Sequence, residues 1–312
     1  AFARRASLIK HNWKHAMKIV SSKPTITRKD LEGVLDCLIN DELTTGNPVK
    51  AFENSVSELT GNKYSLATNS LTSAYHLVFK ALEISGDDEV IMPSFFLRDP
   101  LSALLLTGGK AVLVDNEENS LFPSPEEIRK KITEKTKAII LGHTFGFHFD
   151  FGALKDTGVP VIEDISHAAG SEHEDAPVGQ KGAISVMSLA PAMIITTGNG
   201  GMIATSNSKY FSAMRDLRGG GDNTPGFDYT MTDFQGAMGI TQLLKLKDLL
   251  RRRRDIAKMY HDSIKLTEHS TFTAFNEKFA YQSFPVIFNA PNDKAEKFWK
   301  KNGVELAHPI ER

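Results

Sequence analysis

Residues 188–201 read SLAPAMIITTGNGG, and the fold of the whole chain is read outward from them. The second half, Ile194-Ile195-Thr196-Thr197-Gly198-Asn199-Gly200-Gly201, runs straight into Met202-Ile203-Ala204-Thr205. A β-branched, hydroxyl-bearing segment that ends in glycine and restarts as an apolar run predicts a tight turn between two buried strands. Glycine in such a turn permits positive φ and lets another backbone or a ligand come close. Taken alone, the stretch describes a hairpin in a core and requires no catalyst.

Around it, strand and helix patterns alternate. Residues 64–68, 89–93, 110–115, 138–141 and 159–164 read as short apolar strands. Helical spacing recurs over 27–43 (Leu31, Val34, Leu35, Leu38, Ile39), 49–59, 75–82, 100–106 and 125–132. It returns over 232–260 (Ala237, Ile240, Leu243, Leu244, Leu246, Leu249) and 294–302. Thr27, with Asp30 three residues on, has the form of an N-cap. This rhythm predicts an α/β fold with a mainly parallel sheet covered on both faces. Ligands of such sheets gather at the carboxyl ends of the strands. Two stretches reach that end with polar groups. Asn69-Ser70-Leu71-Thr72-Ser73-Ala74 joins a strand to a helix, which is the form of a phosphate cradle and equally of a plain helix cap. Val161-Ile162-Glu163-Asp164 is a strand that ends in two carboxylates.

Composition bounds the rest. The 312 residues are 41% hydrophobic and 24% charged, ordinary for a chain that buries a large core. A net charge of -1 gives no global field for nucleic acid. The one basic block, Arg251 to Arg254, falls on a predicted helix, where a solvated face or a subunit contact is expected. A single cysteine, Cys37, excludes a disulfide framework within one chain. No apolar run is long enough to span a bilayer, and a cytoplasmic location without membrane partners is expected. Residues 1–26 form a basic extension, with Arg4, Arg5, Lys10, Lys14 and Lys18 and no acid before Lys18, and a surface helix is expected there.

The central stretch resembles the signature S-F-x-P-x-K-x-[IL]-T-T-G-E-G-G of the DegT/StrS-type sugar aminotransferases, pyridoxal-phosphate (PLP) enzymes of the aspartate-aminotransferase fold. Ser188, Pro191, Thr196, Thr197, Gly198, Gly200 and Gly201 fall in register, while Met193 stands where the family has its Schiff-base lysine. Further segments resemble the family in the same order. Ser70 and Thr72 match S-S-G-T-A-A-L, with Leu71 for the glycine, and Val161 to Ala168 resembles V-I-E-D-A-A-Q-A. Residues 143–146 resemble H-x-Y-G, and residues 226–231 resemble G-Y-N-Y-R-M, with Asp228 for the asparagine and Thr230 for the arginine.

The resemblance implies a large PLP-transferase domain over 27–250 and a partial small C-terminal α/β domain over 251–312 that looks truncated. It also implies a set of roles. Ser70, Leu71, Thr72 and Ser188 would face the cofactor phosphate, and Leu97 would take the place of the aromatic that stacks on the pyridine ring. Asp164 would pair with the pyridine nitrogen, His167 would face the phenolic oxygen, and Asp228 would reach the partner subunit's phosphate. A thioether at Met193 has no amine to condense with an aldehyde, so transamination is not expected and PLP binding is doubtful. Three functions stay open: a non-transaminating subunit, paired as a homodimer or with an active paralogue; an enzyme holding PLP or its amine form (PMP) without a covalent bond, on a nucleotide sugar; or a scaffold of polysaccharide assembly.

Overall fold

The computed structural model describes residues 20, 22–220, 225–289 and 292–304. By its contacts the chain falls into two units, residues 24–287 and residues 1–23 with 288–312. The larger unit opens with α1 (Arg28–Ile39) and α2 (Asn47–Thr60). Thr27 caps α1 in a capping box, its N–H and hydroxyl both donating to Asp30 Oδ2 at 2.6 and 2.7 Å. There follow β1 (Tyr64–Thr68), α3 (Leu71–Ala81), β2 (Glu89–Pro93), α4 (Arg98–Thr107), β3 (Lys110–Val114), α5 (Pro125–Lys130) and β4 (Thr136–Gly142). Next come β5 (Val161–Asp164), the hairpin β6 (Glu172–His173) and β7 (Ala176–Pro177), β8 (Ile184–Ser188), β9 (Gly201–Thr205), α6 (Ser208–Gly219) and α7 (Asp233–Ile264).

Seven strands form one sheet in the order β1-β9-β8-β5-β4-β2-β3. Strands β3, β2, β4, β5 and β8 run parallel, whereas β9 is antiparallel to both β8 and β1. The pleat sends Val186 and Ile203 to one face and Met187 and Met202 to the other. On the first face they join Leu77, Phe79, Ile140 and Met214, and on the second Phe52, Met231 and Leu246, so helices cover both sides. The apolar run Ala138-Ile139-Ile140-Leu141 in β4 follows from this double burial.

One expectation is corrected here, and the structure adds a direction that the sequence does not carry. Residues 194–197 do not form a strand: β8 ends at Ser188 and the chain stays irregular until Gly201. The threonine hydroxyls bond locally instead, Thr196 Oγ1 to the Leu189 carbonyl at 2.8 Å and Thr197 Oγ1 to the Asn199 carbonyl. Side chains that satisfy their own loop compete with a ladder. In α1 the apolar stripe faces outward. Leu31, Leu35 and Leu38 are 56%, 52% and 48% exposed, while Asp30 and Cys37 are buried and Gly33 lies against Ala237 and Thr241 of α7. Periodicity gave the stripe correctly but not its direction.

The arginine block lies on α7 and is divided. Arg251 pairs with Asp248, whereas Arg253 and Arg254 turn inward to the carbonyls of Tyr281, Gln282, Phe279 and Lys278. In the smaller unit, α8 (Asn292–Lys301) carries Phe298 edge-on to Trp299. The expected N-terminal helix before residue 20 lies outside the described residues.

Candidate functional site

The topology gathers the expected site residues at one rim of the sheet. Thr68 and Ser188 both pair with Gly201, and Asp164 pairs with Gly142 across β4. Gly201 is required sterically, because a β-carbon there would collide with the Ser70 carbonyl and the Thr68 hydroxyl. The turn before α3 is thereby pressed against the start of β9.

A chain of hydrogen bonds then runs along the rim. Asp164, 3% exposed, accepts the Tyr75 hydroxyl on Oδ2 at 2.6 Å and the Ser166 N–H on Oδ1 at 2.8 Å. The Ser188 N–H donates to Ser166 Oγ at 2.9 Å, the Ala190 N–H to Ser188 Oγ at 3.3 Å, and the Met193 N–H to the Ala190 carbonyl at 3.0 Å. These bonds link the loop that carries Met193 to Asp164. Burial raises the pKa of the Asp164 carboxyl against the hydrogen bonds that lower it, and burial likewise pushes the Tyr75 phenol well above its ordinary value.

The cradle turn is internally satisfied. Ser70 caps α3 by accepting the Ser73 N–H at 3.1 Å, and Ser73 Oγ donates to Asn69 Oδ1 at 2.6 Å. Leu71 is buried in the core rather than facing the turn's open side. The Thr72 hydroxyl donates to Asp99 Oδ1, in the first turn of α4, at 2.8 Å. Asp228 is exposed and holds φ at 52°, a left-handed conformation that aspartate tolerates better than most residues. Its carbonyl accepts Asn69 Nδ2 at 3.4 Å, and its carboxylate accepts the Thr230 hydroxyl at 3.4 Å. Beside it Phe227 and Tyr229 stack at 5.3 Å and enclose His76, whose Nδ1 lies 3.0 Å from the Tyr229 hydroxyl. Among the described residues, no lysine or arginine pairs with Asp99, Asp164 or Asp228. Lys181 is held by Glu174 at 2.8 Å.

His167 Nδ1 accepts the Phe145 N–H at 3.1 Å, which leaves the ring proton on Nε2. The Phe145 ring lies parallel to it at 6.2 Å, and burial lowers the His167 pKa to about 4. The imidazole is therefore a neutral donor at physiological pH. Leu97 is half-buried against the core under α3, and Phe96 brings its ring over Gly142, the register neighbour of Asp164. The aromatic surface beside Asp164 thus comes from Phe96. On the other side of β5, Glu163 accepts four donors, namely His143 Nε2 at 3.0 Å and the N–H groups of Gly179, Lys181 and Gly182. No group of three or more metal-ligating side chains occurs among the described residues.

Sequence reasoning missed Tyr75 and Asp99. One signal was present: Tyr75 occupies the final leucine of S-S-G-T-A-A-L and places a hydroxyl where the motif has none. Asp99 had no local signal, since its partner Thr72 lies 27 residues away.

A mostly parallel sheet in this order, with a polar rim at the strands' carboxyl ends, is the fold of the PLP-dependent aminotransferases. The chain belongs to the DegT/DnrJ/EryC1/StrS aminotransferase family, whose model matches residues 24–307. Among solved structures it is similar to PseC of Helicobacter pylori, an aminotransferase involved in the biosynthesis of pseudoaminic acid. That match has a TM-score of 0.84 at 25% identity and covers 92% of this chain and 83% of the other. The aminotransferase TlmJ from Streptoalloteichus hindustanus matches at 0.85 and 23%, covering 92% and 83%. Escherichia coli GDP-4-keto-6-deoxy-D-mannose-3-dehydratase with bound hydrated PLP matches at 0.85 and 20%, covering 93% and 85%.

Proposed function

We propose that this chain is a member of the sugar-aminotransferase family that does not transaminate and serves as a binding subunit paired with a second protomer, either its own copy or an active paralogue. The reading rests on the sequence resemblance, which puts Met193 at the position of the family lysine, and is supported by the hydrogen bonds that tie its loop through Ser188 and Ser166 to Asp164. Without an amine there is no imine to form, and a thioether shuttles no proton.

Two features count against the phosphopyridine itself. Tyr75 already donates to the Asp164 oxygen that would meet a pyridine nitrogen, and Asp99 already accepts the Thr72 hydroxyl that would meet the phosphate. The residues of this rim do not fit PLP, and no catalytic step is assigned through it. What remains is a polar rim with a neutral histidine donor at His167 and carboxylates at Asp99 and Asp228, which can bind and orient a hydroxyl-rich ligand. A nucleotide sugar, in keeping with the family, is the class we assign, and a cytoplasmic location accompanies this reading.

The outer face of α1 supports the pairing. A helix that buries Asp30 and Cys37 while exposing Leu31, Leu35, Leu38 and Ile39 has its apolar stripe on the side away from its own core. Leu244 on α7, 76% exposed, adds to the surface that a second protomer would cover. A second reading, an enzyme with non-covalent PMP, is favoured only by the likeness to the dehydratase with bound hydrated PLP. The experiment is an absorbance spectrum of the purified protein with PLP, together with an assay of amino transfer from L-glutamate to a nucleotide-linked keto sugar. No aldimine band and no transfer are expected; measurable transfer overturns the reading.

A further inference from the structure

We propose that Tyr75 and Asp99 act together as a plug that excludes phosphorylated pyridines, Tyr75 by holding the acceptor oxygen of Asp164 and Asp99 by holding the hydroxyl of Thr72. The inference rests on the same rim as the function proposed above and deepens it. Loss of the lysine removes covalent chemistry only; the plug removes the non-covalent site as well.

The geometry carries each half separately. Tyr75 is fully buried on α3 and reaches across to β5, with its O–H donating to Asp164 Oδ2 at 2.6 Å. Ser166 N–H holds Oδ1 at 2.8 Å, so both oxygens of a carboxylate that is 3% exposed already have donors. A pyridine N–H arriving at Oδ2 competes with the phenol for that oxygen, and a phenol pushed aside would leave its buried hydroxyl without a partner. At the cradle the anion problem is one of charge. The Thr72 hydroxyl, free to donate to a phosphate in the family's arrangement, donates to Asp99 Oδ1 at 2.8 Å. A phosphate placed there meets a carboxylate at hydrogen-bond range, and like charges that close repel strongly in a partly buried site. The Ser73 N–H, one donor of the helix start, is taken by Ser70 Oγ.

The two halves are separable by ligand. Pyridoxamine carries the ring nitrogen without the phosphate, whereas PMP carries both, and neither has an aldehyde to label surface lysines. Calorimetric titration of the full chain with each probe, for wild type, Tyr75→Phe, Asp99→Ala and the double variant, tests the plug. For wild type, PMP affinity weaker than about 1 mM is expected, with a gain of about tenfold for each single variant and roughly a hundredfold for the double. Tyr75→Phe should tighten both probes, and Asp99→Ala should tighten PMP alone. A merely structural role for either residue would not produce that split. If Tyr75→Phe does not fold, Asp99→Ala, at a half-buried position, carries the test alone. Micromolar PMP binding by the wild type, or variants that bind no better than wild type, overturns the plug. Such results leave the non-transaminating reading standing if amino transfer is still absent. Amino transfer by the wild type defeats both.

Discussion

Glu163 and Asp164 are neighbours at the end of β5, yet the protein treats them in opposite ways. Glu163 turns to one face, where His143 and three backbone N–H groups saturate its oxygens. Burial would raise its pKa, but the His143 hydrogen bond and the N–H groups of Gly182 and Gly179 prevail and lower it. Asp164 turns to the other face and receives two donors, and there burial prevails and the pKa is raised. The number of donors decides which acid is an ionised strut and which is a responsive site group. The strut pins the loop 179–182 to the sheet, while Asp164 faces the rim that carries Ser166 and Ser188.

The comparison is broken most forcefully at the strut. Glu163→Ala should lower unfolding free energy by on the order of 3–5 kcal/mol, since it leaves buried N–H groups and His143 without their acceptor. Urea denaturation reads this directly, and a cost near that of a surface mutation would refute the assigned role.

Acid comes next. A depressed carboxylate such as Glu163 contributes stability above its unfolded value of 4.5 that is lost as pH falls through the folded value. His148, packed against His143 and His173 and lowered by burial to about 3, adds stability above 6.5 that is lost as pH falls toward 3. Asp164, being raised, has the reverse sign: its contribution is present below 3.8 and lost as pH rises through its folded value. The melting temperature should therefore fall with acid from about pH 7 to pH 5, and His148→Phe should flatten that limb. An unchanged slope would remove His148 from the account.

At the site group the effect is smaller. Asp164→Asn keeps the shape and costs about 1 kcal/mol, the size of one net hydrogen bond, in the same urea experiment. Should it cost as much as Glu163→Ala, the distinction between strut and site group fails. Smallest for the fold is Leu35→Glu on the outward face of α1, expected within about 0.5 kcal/mol of wild-type stability. Its effect should be on mass instead, shifting the protein toward monomer in sedimentation velocity; a wild type that sediments as a monomer contradicts the pairing.

The fold was readable because it rests on local signals. An apolar run ending in carboxylates marked β5, and Thr27 with Asp30 marked the start of α1. The family resemblance supplied the order of the site residues, and the sheet brings Ser70, Asp164, Ser188 and Gly201 to one rim. What escaped was set by distance in the chain. Tyr75 meets Asp164 across 89 residues, and neither position has a local pattern that announces the pair. Residues 194–197 read as a strand because their β-branching is visible in the sequence, while the carbonyls that the threonines bind are not. The direction of the α1 stripe was hidden for a similar reason. Its inner face is held by Thr241, Gln242 and Lys245, whose side chains all bond to Asp30 from more than 200 residues away.

A crystal structure of the purified chain grown with excess PMP tests the central claim most directly. The account expects the Tyr75 hydroxyl on Asp164, the Thr72 hydroxyl on Asp99, and no pyridine ring at the rim. A ring whose nitrogen lies within hydrogen-bond distance of Asp164, with its phosphate in the turn at Ser70 and Thr72, would contradict it.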